Sequence, residues 1–299
     1  MRTALKWLGR VVAAVMVLLV VALVSVYGLS ERRMAKVYRI DPPVPQIPTD
    51  AAALERGNHL AAIRGCKDCH GPDLGGATFI DNPLFARLSG ANLTPGGAGG
   101  KLSDEDRVRA IRHGVGPNGH SLLFMPAQEF SHLSDTDLGD LLAYLHNVPA
   151  VDRTPPVNRV GPLGRLLFLA GKVPLLPAEI VDHTAKRSAA PPAGPTVAYG
   201  AYLASVCAGC HGKTFSGGHI SGTPPDWPDA ANLTPDPSGL AGWSEADLTK
   251  ALREGIARDG RAMKTDYMPV RVTKHLTDEE ISALYAYLRS LPGKPRGQG

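Results

Sequence analysis

Cys66-Lys67-Asp68-Cys69-His70 and Cys207-Ala208-Gly209-Cys210-His211 are the two stretches that decide the fold. Each is Cys-x-x-Cys-His, and together they use all 4 cysteines of the 299-residue chain. Two thiols three positions apart reach the two vinyl groups of one porphyrin. The histidine that follows then lies under the iron as proximal ligand, so the motif is the attachment signature of c-type haem. The competing reading is a zinc or redox CxxC that happens to precede a histidine. One such coincidence is plausible; two in one chain are not. The expectation is two covalently bound haem c groups on Cys66, Cys69, Cys207 and Cys210, with His70 and His211 as axial ligands to the iron.

Outward from these motifs the chain repeats itself with a period of 141–143 residues, too long for a solenoid and fitting a duplicated domain. Gly75-Gly76 pairs with Gly217-Gly218. Ala91-Asn92-Leu93-Thr94-Pro95 recurs unchanged as Ala231-Asn232-Leu233-Thr234-Pro235. Ile111-Arg112-His113-Gly114 pairs with Leu252-Arg253-Glu254-Gly255, Met125-Pro126 with Met268-Pro269, and Ala143-Tyr144-Leu145 with Ala286-Tyr287-Leu288.

Each unit reads as mainly helical. Helices near 51–64 and 199–206 run into the Cys-x-x-Cys-His motifs. Ser103-x-x-Asp106 and Ser244-x-x-Asp247 are N-caps with an acid in the first turn, opening helices that stop near Gly114 and Gly255. Thr277-x-x-Glu280 is a capping box for a last helix over about 278–290, and Ser134-x-x-Asp137 is its weaker counterpart. No run of alternating strands stands out. The predicted division is 1–30 anchor, 31–50 Pro-rich spacer, 51–150 first domain, 151–195 inter-domain linker, 196–293 second domain and 294–299 tail. Residues 41–49 read as a stiff spacer that holds the first domain off the membrane. Within the linker, Leu163 to Ala170 is apolar but too short to cross a bilayer, and reads as a helix packed against both domains or as a docking surface for a partner or the membrane interface.

The pattern resembles tandem class I cytochrome c domains, and more specifically the membrane-bound multihaem cytochrome c subunits of periplasmic alcohol and gluconate dehydrogenases. The shared elements are CxxCH, a Gly-Gly turn, Asn-Leu-Thr-Pro, a capped helix, Met-Pro and a final helix with Ala-Tyr-Leu, over 52–149 and 196–292. Those subunits often carry three such domains; this chain carries two. The resemblance implies a mainly α fold, an N-terminal transmembrane helix followed by two cytochrome c class I-like helical domains. It places the sixth iron ligand in the loop holding Met125, 55 positions after His70, and Met268, 57 after His211. Soft thioether ligation raises the potential of the haem, and six-coordinate iron suits electron transfer rather than catalysis. Met263 lies in the same loop, but Pro269 and the repeat favour Met268. The histidines His113, His120, His132, His146, His219 and His275 are the alternatives to methionine. A carbonyl near the proline of Asn-Leu-Thr-Pro is the expected acceptor for the proximal histidine. Asn92, Asn232, Arg112 and Arg253 are either propionate contacts or parts of capped turns and helix faces.

Covalent haem attachment takes place outside the cytoplasm, so the chain must be exported. Arg2, Lys6 and Arg10 precede the 19 uncharged residues Val11 to Leu29. At 1.5 Å per residue these span roughly 28 Å, close to a bilayer core of about 30 Å. A signal peptide would have a shorter apolar region and a better cleavage site, so an uncleaved anchor is favoured. The chain is then single-pass in the cytoplasmic membrane with both haem domains on the periplasmic side. The formal charge of +4 carries no nucleic-acid inference, because four propionates would offset it and no basic block with interleaved aromatics is present.

The functional expectation is electron transfer from a dehydrogenase or quinol-oxidising complex to a redox partner cytochrome, a quinone site or an oxidase, with no catalytic residue in this chain. The alternatives are a dihaem peroxidase-type enzyme, which needs an open iron position, and a structural anchoring subunit of a respiratory complex.

Overall fold

The computed structural model describes residues 2–224 and 226–298. Met1 and Gly299, the outer ends of the expected anchor and tail, lie outside the described residues. The chain is mainly helical. In order come α1 (Arg2–Met34), α2 (Ala51–Ile63), α3 (Cys66–Cys69), α4 (Asp104–His113), α5 (Ala127–Phe130) and α6 (Asp135–Asn147). Then follow α7 (Pro162–Leu169), α8 (Val197–Ala204), α9 (Ala208–His211), α10 (Glu245–Glu254), α11 (Val270–Thr273) and α12 (Asp278–Ser290).

Local chemistry sets the ends of these helices. Ser103 and Ser244 accept from the backbone N–H of Asp106 and Asp247, whose carboxylates bond back to the serine N–H. These two capping boxes start α4 and α10. Gly114 and Gly255 end the same helices in the left-handed region, at φ 65° and 69°, where a side chain is strained. Thr277 and Glu280 form the expected box on α12, and Ser134 caps α6 with its hydroxyl alone.

In each unit the first helix crosses the last. The crossing point is Gly57 on α2 against Asp140 and Tyr144 of α6, and Gly200 on α8 against Ala283 and Tyr287 of α12. A β-carbon at either glycine would come within 2.7 Å of the tyrosine Cβ and closer still to a helix carbonyl. Backbone contact at these points lets the flanking apolar faces meet. Leu138, Leu141, Leu142 and Leu145 fill the first core, and Ile281, Leu284 and Leu288 the second. Leu60 and Ile63 of α2 reach across and pack into the second core, so the two units share apolar contact.

Three features differ from the sequence reading. First, a three-stranded antiparallel sheet is present: β1 (Ala77–Asn82), β2 (Ala86–Gly90) and β3 (Arg159–Val160), in the order β1-β2-β3. It escapes a periodicity search because β1 is a mostly exposed hairpin arm without a regular apolar face, and β3 has two residues.

Second, the Pro-rich segment is laid along the first domain rather than standing clear of it. Tyr38 N–H donates to Gly119 O at 2.8 Å, Arg109 Nε donates to Ile40 O at 2.7 Å, and Val44 and Ile47 pack on the first core. Prolines stiffen the segment, but its intervening apolar residues give it a surface to bind. α1 also runs four residues past the expected end of the anchor, to Met34.

Third, α7 packs chiefly on the end of α1. Phe168, Leu175 and Leu176 form a small core with Val160, Met34 and Leu123. The second domain meets the linker where Gly222 approaches Lys172 and Pro174.

Candidate haem sites

The first Cys-x-x-Cys turn is α3, entered through Gly65 at φ 73°. The second runs from a 3-10 turn, Ser205–Cys207, into α9. Helical spacing of three puts both thiols of each motif on one side of the turn. Burial pushes the Cys66 and Cys207 thiols up to about 11. This is opposite to the depression that makes a redox CxxC reactive or a zinc thiolate easy to form.

The two histidines are held identically. His70 Nδ1–H donates to Ala91 O at 2.8 Å, and His211 Nδ1–H donates to Ala231 O at 2.8 Å. A carbonyl can only accept, so the proton sits on Nδ1 and leaves Nε2 with its lone pair for a metal. Burial lowers the pKa of both imidazoles, which keeps them neutral. The accepting carbonyl belongs to the residue before Asn-Leu-Thr-Pro, four positions ahead of the proline, and not to a residue beside the proline.

The Asn-Leu-Thr-Pro loops have a structural role. Asn92 Oδ1 accepts from the N–H and hydroxyl of Thr94 at 3.0 and 2.7 Å, and Nδ2 donates to Val151 O and Arg153 O. Asn232 does the same with Thr234 and Lys294 O. In each unit this box ties the chain that leaves the last helix to the loop that holds the proximal histidine. Arg112 is buried against Leu133 O and Asp135, and Arg253 binds Leu276 O and Asp278. These bonds pin helix to loop and account for Asn92, Asn232 and Arg253 without a propionate, while Arg112 keeps a buried Nε without a partner. The repeat register also shifts by one at the glycines. Gly76 and Gly217 each donate to the carbonyl of their own histidine, His70 and His211, so Gly76 corresponds to Gly217 rather than Gly218.

Met125 packs in the cluster that contains Cys66, Leu93, Val108 and Ile111. Met268 is half-buried and outside the cluster around Cys207. Backbone bonds nevertheless match it to Met125: Ala127 N–H donates to Met125 O at 2.8 Å, and Val270 N–H to Met268 O at 2.7 Å. Met263 matches Leu122 instead, since both donate to the helix-ending glycine, Gly255 or Gly114. Among the alternative histidines, His113 bonds His183, His120 bonds Lys36 O, and His146 bonds Asp104, while His132, His219 and His275 are exposed.

The two sites meet at the domain interface with approximate two-fold symmetry. Asp68, inside the first motif, pairs with Arg271 of α11, just after Met268-Pro269; Nη2 lies 2.8 Å from Oδ2. Gly209, inside the second motif, lies against Glu129 of α5, just after Met125-Pro126. Burial pushes the Glu129 carboxyl up to about 7. His59 and Glu280 at 2.8 Å, together with Tyr202 against Ser134 and Asp137, close the interface.

Beside both motifs is Arg64. It is 6% exposed, donates from Nη1 to Ser205 Oγ at 3.2 Å, and leaves Nε and Nη2 buried without a partner. An orphaned buried guanidinium calls for an anion, and a porphyrin carboxylate meets that need. With the neutral histidines and paired thiols, it makes the residues present fit haem c. Sequence reading missed Arg64, Glu129 and the Asp68–Arg271 pair, because their repeat partners, Ser205, Val272, Gly209 and Gln128, share none of their chemistry.

Comparison with known proteins agrees with this geometry. Residues 197–292 match the model described as Cytochrome c, and residues 52–145 match the one described as Cytochrome C oxidase, cbb3-type, subunit III. The chain therefore carries two cytochrome c domains, and its cofactors are two covalent haem c groups. The cytochrome c subunit of alcohol dehydrogenase (quinone) from Gluconobacter oxydans (strain 621H) is 27% identical over 288 residues, covering 83% of this chain and 57% of that protein. The gluconate 2-dehydrogenase cytochrome c subunit of Pantoea cypripedii is 32% identical, covering 83% and 61%. A diheme cytochrome c-type protein of Cereibacter sphaeroides is 27% identical over 299 residues, covering 91% and 96%. The chain spans about three fifths of the length of the dehydrogenase subunits it matches.

Proposed function

We propose that this chain is a membrane-anchored dihaem cytochrome that accepts electrons from a dehydrogenase and passes them to a downstream carrier or oxidase. α1 spans the cytoplasmic membrane once, and both domains, 51–150 and 196–293, stand on the periplasmic side. Cys66 and Cys69, and Cys207 and Cys210, would hold the two haems covalently, and His70 with Met125, and His211 with Met268, would ligate their irons. Each haem, when bound, supplies a one-electron iron couple.

The chain's own residues set the conditions for that couple. The Ala91 and Ala231 carbonyls fix the histidine tautomers. The apolar cluster around Met125 and Cys66 keeps water from the first site. Two axial ligands per iron leave no position for a substrate, so turnover belongs to a partner.

The observation that supports the reading is the recurrence of one site geometry twice, with each attachment motif seated on the segment that follows the other domain's methionine. This arrangement suits passage of an electron between domains without a diffusional step. A peroxidase-type enzyme is not favoured, because both units carry the full methionine-loop pattern and the relatives are named as cytochrome subunits.

The test is purification from the native membrane in mild detergent, with every co-purifying polypeptide identified. A stoichiometric dehydrogenase subunit is the expected result. A chain that purifies alone and is not reduced by any membrane dehydrogenase would refute the proposal.

A further inference from the structure

α7 packs beside the last turns of α1, where the apolar run of that helix ends. Arg165 donates to Ser30 Oγ at 2.8 Å, pairs with Glu31 at 3.0 Å, and lies 4.5 Å from the Tyr27 ring centroid. Arg33 pairs with Glu179 at 2.6 Å and lies 4.2 Å over the Phe168 ring. Ser30, the one buried residue of α1 among those described, is covered here. The first domain is thus clamped to the helix rather than tethered to it.

The opposite side of α7 is apolar and bare. Leu163 and Leu166, three apart on one face, are 47% and 52% exposed. Leu84, at the β1–β2 tip that bonds to Leu163 N–H, is 63% exposed. Cations flank this patch along the chain. Arg32 lies in the last turn of α1 and Lys36 just beyond it, while Arg159 and Lys172 flank α7, and all four are exposed. Of the nearby carboxylates, Glu31 and Glu179 are engaged by Arg165 and Arg33, and Asp81 on β1 by Arg87 at 2.7 Å.

We propose that α7 and the β1–β2 tip lie in the headgroup layer of the bilayer, with the leucines among acyl chains and the cations toward lipid phosphates. The proposal rests on the reading of α1 as membrane-spanning. Lipid is the occupant because the patch is continuous with the apolar run of α1 at the level where that run ends. A helix with leucines on one side and flanking cations suits an anionic interface. The consequence is that the first domain is held close to the membrane in a fixed orientation.

The experiment uses the full haem-loaded chain in phosphatidylethanolamine–phosphatidylglycerol vesicles. Single cysteines at Leu166→Cys, Leu84→Cys, Leu18→Cys within α1 and Val197→Cys in the second domain carry a spin label. Collisions with oxygen, which concentrates in lipid, and with a nickel chelate, which stays in water, are measured at each site. The proposal expects sites 166 and 84 to fall between site 18 at the bilayer centre and site 197 in water, with an oxygen-to-nickel ratio several-fold above that at site 197. If sites 166 and 84 resemble site 197 while site 18 reports lipid, the proposal fails and the anchor stands. If site 18 also reports water, both fail. Shielding of sites 166 and 84 from both reagents would mean that protein covers the patch, and would also overturn the proposal.

Discussion

At the residue scale, the sites rest on side chains with a single feasible hydrogen-bond arrangement. Asn232 is 2% exposed and holds Thr234 and Lys294 O together. Asn232→Ala leaves the buried Thr234 N–H without its acceptor, while the Thr234 hydroxyl still donates to Lys294 O at 3.1 Å, and should destabilise the second domain by roughly 1–3 kcal/mol. Denaturant midpoints measure this.

His113 shows the same logic with a proton. Arg187 can only donate to His113 Nε2, at 3.3 Å, so His113 carries its hydrogen on Nδ1 and donates to His183 Nδ1 at 3.0 Å. His183 Nε2–H then donates to Ala178 O at 3.0 Å. His113 must then be neutral. Burial, with the Arg187 charge adding to it, lowers the His113 pKa from its ordinary value of 6.5 to about 4. The unfolded chain therefore binds a proton first as pH falls. Stabilisation is full above pH 6.5 and declines as pH falls toward 4, by about 1–2 kcal/mol between pH 7 and pH 5. Hydrogen exchange over 177–187 should quicken across that range, and His113→Phe should flatten the response.

Arg64 makes a prediction of a different kind. A buried cation beside both attachment motifs favours the less positive, reduced iron, so Arg64→Gln should lower both haem potentials in a redox titration.

At the element scale, the helix crossings define each domain. Gly200→Ala forces a methyl into Ala283 O and Tyr287 and should cost about 1–3 kcal/mol, with the loss confined to the second domain's thermal transition. Most of this level was legible in the sequence. Ser103, Ser244 and Thr277 announced their helices because a cap is a local interaction, readable within four residues. β1–β3 and the path of the Pro-rich segment were not legible, since β3 joins the sheet from some 70 residues away and Val44 and Ile47 meet a surface assembled from distant helices. Of the candidate sites, the cysteines, histidines and methionines stood out by motif and repeat. The Ala91 and Ala231 acceptors contribute only backbone, which leaves no trace in side-chain identity.

At the scale of the whole molecule, duplication produced two similar sites and then an interface that is not symmetric in chemistry. An ion pair, Asp68–Arg271, stands on one side of the approximate two-fold axis, and a half-buried carboxyl, Glu129 beside Gly209, on the other. Two haems in such unequal surroundings should have unequal potentials, giving an electron a preferred direction between the domains. The clamp of Arg165 and Arg33 on α1 adds a fixed orientation at one end, so the route from partner to acceptor is set by the fold rather than by a flexible tether.

The measurement that tests this account most directly is a spectroscopic redox titration of the purified full chain. The account predicts two distinct one-electron transitions, with both haems low-spin and six-coordinate in every oxidation state. A five-coordinate, high-spin haem in the oxidised, half-reduced or reduced protein would contradict it and return a catalytic site to consideration.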